Sequence, residues 1–271
     1  MNIPPKIQSL VADFAANLPA EAKRDYFRLH RYRFEALLAA VPPGPGLRRA
    51  LEIGVNPGLC TELLVRAGYK VSGTDLFPEH RAELWQRLEV EVRRWNIDLE
   101  PCPYAEESFD LIFFSEVIEH LANPPIEALA DIGARLVPGG HLVITTPNQF
   151  YLKSRLRTLA DIMLGRPFDH DQEFRRWAGL KSEARYYTHS RLFTMVQLRW
   201  MVEQAGLRVA SSAFCDPWER VGLEPERIVR HPLRWGAKAV ISVATRTLPA
   251  TRSMLLLVAQ RPVVQSPPIR V

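Results

Sequence analysis

The residues with the clearest chemical potential form a short loop, Glu52-Ile53-Gly54-Val55-Asn56-Pro57-Gly58, directly after an apolar stretch. Glycine adopts left-handed backbone angles freely, and Asn tolerates them better than most residues do, so the chain can turn sharply here. A turn between a strand and a helix lets a ligand approach the backbone and meet the unpaired N–H groups of the helix start. The loop therefore predicts a ligand-binding turn.

A second feature is Asp75, which follows Gly54 by 21 positions and ends the apolar run YKVSGTD. An acidic residue that ends the second strand of such a fold can accept hydrogen bonds from both ribose hydroxyls of a nucleoside. Taken alone, an Asp in this place is as often a cap or turn residue. Together with the loop, it predicts a nucleoside site.

The loop also discriminates between nucleoside cofactors. A dinucleotide fingerprint, G-x-G-x-x-G, requires a small residue at the position that Leu59 occupies. A nicotinamide-dependent oxidoreductase is therefore the weaker interpretation. The spacing Gly54, Asn56, Gly58 instead resembles the E/D-x-G-x-G-x-G loop of class I methyltransferases, which bind S-adenosylmethionine (SAM), with Asn56 at the middle glycine.

Two further segments carry the same resemblance, NIDLEPCPYAEESFDLIFFSEVIEHLANP and LVPGGHLVITTPN. The resemblance is close over residues 48–148 and looser over residues 188–215. It implies that Asp98 and Leu99 flank the adenine, and that Ser115 and Glu116 lie beside the sulfonium. The complete set of cofactor-binding residues that it implies is Glu52, Gly54, Asn56, Gly58, Asp75, Asp98, Leu99, Ser115 and Glu116.

The resemblance implies methyl transfer by in-line attack on the SAM sulfonium, a reaction that depends mainly on proximity and alignment. A neutral hydroxyl acceptor also requires a general base. His120, His170 and His189 are the candidates, and His120 and His189 are the two predicted catalytic residues. His189 lies in a run, THSRLFT, that resembles a segment of many small-molecule and sugar methyltransferases; a structural role for it is equally open.

Glu116, Glu119 and His120 have the spacing of one helical face. This pattern resembles the ubiquinone-pathway O-methyltransferases, in which an E-x-x-E-H cluster can hold a divalent metal. The alternative is that the glutamate caps a helix and the histidine packs beneath the ligand. We favour this alternative and predict no metal.

The acceptor is predicted to be a hydroxyl of a small molecule such as a sugar, a quinone, a polyketide or a lipid-linked intermediate. The D/N-P-P-Y/F segment of amino-group methyltransferases is absent after the fourth predicted strand, where the chain reads FSEV. The paired metal-binding acids of catechol-type enzymes are not apparent. Because Asn56-Pro57 departs from the glycine pattern, a catalytically inactive SAM-binding scaffold is the alternative function.

Strand and helix patterns alternate from Ala50 onward, which is typical of a doubly wound α/β sheet. With the resemblance, we expect a mostly parallel seven-stranded sheet whose last strand is antiparallel. Pro78 to Trp95 is predicted as one helix, NIDL as the third strand, and Pro138-Gly139-Gly140 as a turn before the fifth strand. A helical cap over residues 1–46 is predicted to precede a SAM-binding domain over 47–271, with insertions at about 150–190 and 217–250.

Composition limits the partners. The net charge is +5, but the basic residues are dispersed, which argues against nucleic-acid binding. Three separated cysteines and an N-terminus without a signal-like apolar run favour a cytoplasmic protein. Residues 235–249 are too short and too charged to cross a bilayer. Residues 233–248 are interpreted as a buried helix, with peripheral membrane contact as the alternative; no oligomeric state is predicted.

Overall fold

The computed structural model describes residues 3–18, 24–44, 48–166, 188–223, 228 and 232–263. Within these ranges the strands are β1 (Arg49–Ile53), β2 (Lys70–Asp75), β3 (Glu91–Arg94), β4 (Phe109–Ser115), β5 (Leu136–Pro147), β6 (Arg208–Cys215) and β7 (Met254–Gln260). The helices are α1 (Pro5–Ala16), α2 (Arg24–Ala39), α3 (Leu59–Arg66), α4 (Ala82–Leu88), α5 (Pro125–Arg135), α6 (Leu152–Met163), α7 (Met195–Gln204), α8 (Pro217–Arg220) and α9 (Pro232–Thr247). Short 3-10 turns cover Pro78–Arg81, Ile118–His120 and Pro249–Thr251.

The seven strands form one sheet in the order β3-β2-β1-β4-β5-β7-β6. The pairs from β3 to β5 are parallel, whereas β7 runs antiparallel to both β5 and β6. This arrangement confirms the predicted fold class, a mostly parallel doubly wound sheet with an antiparallel last strand.

The sheet is stable because its central strands are apolar on both faces. In β4, Leu111 and Phe113 pack into one cluster of buried side chains, while Ile112 and Phe114 pack into the other. Alternate residues of a strand point to opposite faces, so the near-continuous run FDLIFFS supplies both clusters. Helices α5 and α7 cover one face, and α1, α2 and α3 cover the other.

The N-terminal helices belong to the packing of the sheet. Val11 and Phe14 of α1 and Phe34 and Leu37 of α2 lie in the same buried cluster as the β4 residue Phe113. They bring α2 onto the face that also carries α3. The proposed division into a cap, 1–46, and a domain, 47–271, stays a prediction.

Three local predictions were wrong. The helix predicted over Pro78 to Trp95 ends at Leu88, because Glu89 adopts the left-handed conformation (φ 55°), and the chain then enters β3 three residues later. The third strand is therefore EVRR, and NIDL forms a turn after it. Likewise Pro138-Gly139-Gly140 lies inside β5, which begins at Leu136 beside Phe109.

The predicted insertions contain α6 in the first, and α8 and α9 in the second. Much of the first insertion, including His170, lies outside the described residues. Among the described helices, none combines the length and the apolar character that crossing a membrane requires.

The glycine at position 58, in the loop after β1, is required by the close packing of α4 against this loop. Gly58 has φ 94°, and a Cβ there would lie 2.2 Å from Leu84 Cδ2 and 3.1 Å from the buried ring of Trp85. Gly68, at the end of α3, has a similar φ of 88° but open space around it. At both positions the left-handed backbone disfavours any residue with a side chain. Only at Gly58 would a side chain also collide with neighbouring atoms.

We therefore expect Gly58→Ala to lower the free energy of unfolding by about 1–3 kcal/mol more than Gly68→Ala does. Urea unfolding of both variants measures the difference. Equal losses would show that α4 does not press on the loop.

Candidate active site

A cavity of about 320 Å³ lies where β1, β2 and β4 end. Strand order reverses between β1 and β4, because the chain proceeds outward to β2 and β3 from one and to β5 from the other. Ligands of open α/β sheets bind at this reversal, outside the carboxyl ends of the strands. Six of the predicted site residues line the cavity: Gly54, Asn56, Asp75, Asp98, Glu116 and His120.

Asp75 organises the floor of this cavity. Its carboxylate accepts the backbone N–H of Asn56 at 3.1 Å through Oδ2 and that of Phe77 at 3.0 Å through Oδ1. These bonds join the loop after β1 to the loop after β2. Each carboxylate oxygen keeps a further lone pair, so the group can still accept hydrogen bonds from a ligand.

Asp98 holds a different loop in place. Its carboxylate accepts the backbone N–H groups of Ala122 and Asn123, and its carbonyl accepts the Asn123 side-chain amide. The segment after the 3-10 turn Ile118–His120 is thereby tied to the turn that follows β3. Asp98 therefore shapes the cavity wall through backbone positioning.

Four other predicted residues do not line the cavity. Glu52 is buried beneath the loop, where its Oε2 accepts Thr61 Oγ1–H at 2.6 Å. Ser115 shares a 2.7 Å hydrogen bond with Thr145, and Gly58 packs against α4. Leu99 is 68% exposed. Their assignment to the cofactor stays a prediction.

Sequence reasoning missed the apolar walls of the cavity. They come from Tyr26 in α2 and from residues just beyond the strand ends, namely Leu76, Phe77, Trp95, Ile97, Val117 and Leu121. The residues after β2 and β3 could have been found, because side chains that directly follow parallel strands meet at one sheet edge. Tyr26 carries no such signal, since it lies in a helix, 23 residues before the first residue of β1.

A second, larger cavity of about 1120 Å³ adjoins the first, and Tyr26, Glu116 and His120 line both. Aromatic side chains form part of its wall. The His30 ring lies 4.1 Å from the Tyr26 ring and 4.9 Å from the Trp218 ring, measured between centroids. Burial lowers the pKa of His30 to about 3, with Arg33 contributing, so this ring stays neutral.

The two predicted catalytic histidines meet at the boundary of the cavities. Their ring centroids are 4.9 Å apart, although they are separated by almost seventy residues in sequence. His120 Nδ1 lies 3.0 Å from the carbonyl of Thr188, which makes Nδ1 the donor and leaves Nε2 as the acceptor. The backbone N–H of Ser190 also donates to the Glu119 carbonyl at 2.7 Å, which fixes the His189 segment against the 3-10 turn.

Glu119 lies behind these histidines and is almost completely buried. Its Oε2 accepts Thr146 Oγ1–H at 2.9 Å, while buried Oε1 has no hydrogen-bond partner and lies 3.9 Å from His120 Nε2. Burial, and next the nearby Glu116 charge, raise the pKa of Glu119 well above its ordinary value. Burial therefore favours the protonated carboxyl, and in that form the group can donate a hydrogen bond.

Glu119, His120 and His189 are also the group of described residues whose spacing suits a metal ion, with ligand atoms within 4.8 Å of one another. This set differs from the Glu116, Glu119 and His120 pattern that the sequence suggested. A cation would require the ionised form of Glu119, which its burial disfavours. The absence of a metal from the reaction stays a prediction.

A buried pair of opposite charges completes the boundary. Arg33 of α2 approaches Glu116 with 3.7 Å between Nη1 and Oε2, which is too long for a hydrogen bond. Arg33 Nη2 donates to the Tyr26 hydroxyl at 3.3 Å, while its Nε is buried without a partner. Glu116 itself has a left-handed backbone (φ 56°), a conformation that costs about 1–2 kcal/mol and is concentrated at functional sites.

Comparison with known proteins decides the family. A family model described as a methyltransferase domain matches residues 9–212, from within α1 to within β6. The chain belongs to this methyltransferase family. This match confirms the resemblance to the class I SAM-dependent methyltransferases.

Individual relatives agree with this assignment. The ubiquinone biosynthesis O-methyltransferase of Cereibacter sphaeroides is 36% identical over 121 residues, which cover 43% of this chain and 47% of that protein. The chain thus matches only about half the length of this relative. Among solved structures, one is a complex of a putative methyltransferase with the Trm112 activator of Haloferax volcanii. Its TM-score is 0.60 at 18% sequence identity, and the match covers 93% of this chain and 97% of that one. A SAM-dependent methyltransferase of Mesorhizobium loti has a TM-score of 0.54 at 17% sequence identity, and the match covers 86% of this chain and 98% of that one.

Glu52 makes a pH-dependent contribution to stability. Burial raises its pKa to about 7, although hydrogen bonds from Thr61 and Cys60 oppose the rise. In the unfolded chain the same carboxyl ionises near its ordinary value of 4.5. The folded state therefore keeps this proton up to a higher pH than the unfolded state does, and stability is lost as the pH rises from about 4.5 through 7.

Glu52→Gln removes this ionisation. We expect the free energy of unfolding of the variant, relative to that of the wild type, to increase by about 2–3 kcal/mol between pH 5 and pH 8. Chemical denaturation at both pH values measures the change, with Glu83→Gln on the exposed side of α4 as the control. If the free energies of unfolding of E52Q and the wild type differ by the same amount at both pH values, the raised pKa of Glu52 is contradicted.

Proposed function

We propose that this methyltransferase transfers a methyl group from SAM to a hydroxyl of a small molecule, with SAM in the first cavity and the acceptor in the second. The observation that carries the proposal is the shared wall: His120 and Glu116 border both cavities. A methyl group can pass between two ligands only where their sites open to each other. The residues at that junction would then lie next to the reacting atoms.

The first cavity has the features that SAM requires. Asp75 offers acceptor oxygens for ribose hydroxyls, and Trp95 and Ile97 supply an apolar wall for adenine, with Asp98 beside them. Gly54 has φ 78°, and a Cβ there would lie 2.7 Å from Val117, so the backbone at the cavity edge stays bare. The volume of about 320 Å³ lies at the lower end of the range for ligand pockets.

Arg33 and Glu116 suit the amino-acid end of SAM, which carries one carboxylate and one ammonium group. Their own ion pair is long, and Arg33 Nε lacks a partner although it is buried. A buried charged group whose hydrogen bonds are incomplete is costly, and a ligand of opposite charge that supplies the missing bond lowers that cost. We assign the SAM carboxylate to the side of Arg33 and the ammonium to the side of Glu116.

When bound in the first cavity, SAM would supply an electrophilic methyl carbon, and its sulfur would keep the electron pair of the carbon–sulfur bond that is broken. The acceptor oxygen attacks in line, and its proton moves to a base. His120 is the proposed base, because its Nδ1 bond to Thr188 leaves Nε2 as the acceptor atom. His189 stands 4.9 Å from it, on the acceptor side, as the alternative or as the group that relays the proton.

The acceptor is proposed to be a hydroxylated molecule with an apolar part. The aromatic rings of Tyr26, Tyr151 and Trp218 line the second cavity, which can hold a ligand considerably larger than a simple sugar. The relative from Cereibacter sphaeroides is named for O-methylation in ubiquinone biosynthesis, which supports oxygen as the acceptor atom.

Asp75→Asn tests the cofactor assignment. The amide keeps the size of the side chain but replaces one acceptor oxygen by a donor and removes the charge. We expect SAM to bind about 10- to 100-fold more weakly, since hydrogen bonds to charged groups contribute about 1.5–3 kcal/mol. Equilibrium dialysis with labelled SAM measures this, with Glu79→Gln on the exposed turn after β2 as the control. An unchanged dissociation constant would remove Asp75 from the site.

His120→Ala and His189→Ala test the catalytic assignment. We expect either variant to bind SAM as the wild type does, while the variant that lacks the base loses roughly 100- to 10,000-fold in turnover. Methyl transfer from labelled SAM to a panel of hydroxylated acceptors measures turnover. Weakened SAM binding in both variants, equal to that of Asp75→Asn, would contradict the division of roles. A wild type that binds SAM and methylates no acceptor would favour the inactive scaffold instead.

A further inference from the structure

Helix α6 has its amphipathic character reversed. Along one side of the helix, the polar residues Lys153, Ser154, Arg157, Thr158 and Asp161 line the second cavity. The first three of them are also exposed to solvent. The opposite side of the helix carries Leu156, Leu159 and Met163, at helical spacing, and all three are exposed, Met163 by 77%. A surface helix of a water-soluble domain normally buries its apolar stripe. Here that stripe faces outward.

Helix α9 shows the same reversal. Ser242 and Thr245 are buried, and Lys238 lines the second cavity. Leu233, Val240 and Val243 lie on the other side of the helix and are exposed, Leu233 by 88%. We call the six exposed side chains of the two helices the apolar helix face: Leu156, Leu159, Met163, Leu233, Val240 and Val243.

The two helices contact each other and border the same cavity. More than half of the exposed large apolar side chains in the described residues lie on them or on the residues directly after them. Scattered apolar residues are normal on a protein surface, but a concentration of this kind marks an interaction site. The apolar helix face is therefore a candidate interaction surface.

Charge selects the kind of partner. The sequences of α6 and α9 contain six basic residues and one acidic residue, Asp161, which pairs with Arg157 at 3.8 Å. Helices with an apolar stripe bordered by basic side chains lie in the interface of bilayers that contain anionic lipids. A second copy of this chain would bring the same positive charges together, which disfavours self-association through this face.

We propose that the apolar helix face docks on an anionic phospholipid bilayer and places the second cavity next to the membrane. The acceptor then enters from the lipid phase, so the acceptor class is an amphiphile whose hydroxylated head reaches His120. The statement about the acceptor rests on the proposed function; the docking surface itself does not, because it is defined by α6 and α9 alone.

Vesicle flotation without SAM or acceptor tests the docking. We expect the protein to bind vesicles of equimolar phosphatidylcholine and phosphatidylglycerol, to bind pure phosphatidylcholine weakly, and to dissociate in high salt. Leu159→Glu and Val240→Glu should each lower the partition coefficient by about tenfold or more. Each replaces an exposed apolar side chain, which would insert into the bilayer, by a carboxylate that the anionic surface repels. Val196→Glu, at an equally exposed position of α7, is the matched control and should bind as the wild type does.

Sedimentation velocity and SAM binding of the same preparations complete the test. Unchanged SAM affinity in L159E and V240E, together with lost flotation, supports the proposal and excludes misfolding. No flotation of the wild type, or equal flotation of all variants, overturns it. A wild-type dimer that both variants convert to monomers, without vesicle binding, overturns it in favour of a second copy of the chain. Failed methyl transfer with intact flotation would contradict the proposed function alone.

Discussion

The reversal of strand order between β1 and β4 is the constraint on which the site depends. Two parallel strands whose following connections leave in opposite directions cannot close the space above their carboxyl ends, so a crevice remains there. Gly54 directly follows β1, Asp75 is the last residue of the neighbouring strand β2, and Glu116 directly follows β4. The buried strands fix that edge, and the loops need only present the right side chains to it.

The electrostatics at the junction of the two cavities follow from covering this crevice with α2. The helix brings Arg33 out of water and next to Glu116, and it brings Tyr26 and the neutral ring of His30 to the same place. In a site of low dielectric, such fixed charges interact more strongly with a ligand than they would in water. Helix α2, which the sequence suggested as part of a separate cap, thus supplies part of both cavity walls.

Much of the fold was predictable because its signals are local. Apolar runs such as FDLIFFS, and glycines at strand and helix ends, mark a doubly wound sheet directly. The boundary at Glu89 was missed because a charged stretch that could continue α4 instead pairs with β2, and tertiary pairing overrides propensity. Of the site, the residues at strand ends were found, while Tyr26 and Arg33 were not, since only packing brings α2 to the crevice. The contact between His120 and His189 spans almost seventy residues and has no local signal either.

The account stands on SAM as the ligand of the first cavity, and a calorimetric titration of the purified wild-type chain tests this most directly. SAM, its demethylated product and NADH should be titrated separately. The account predicts saturable binding of SAM and of its product at one site per chain, and no binding of NADH. No binding of the SAM pair, or NADH binding of equal strength, would contradict it.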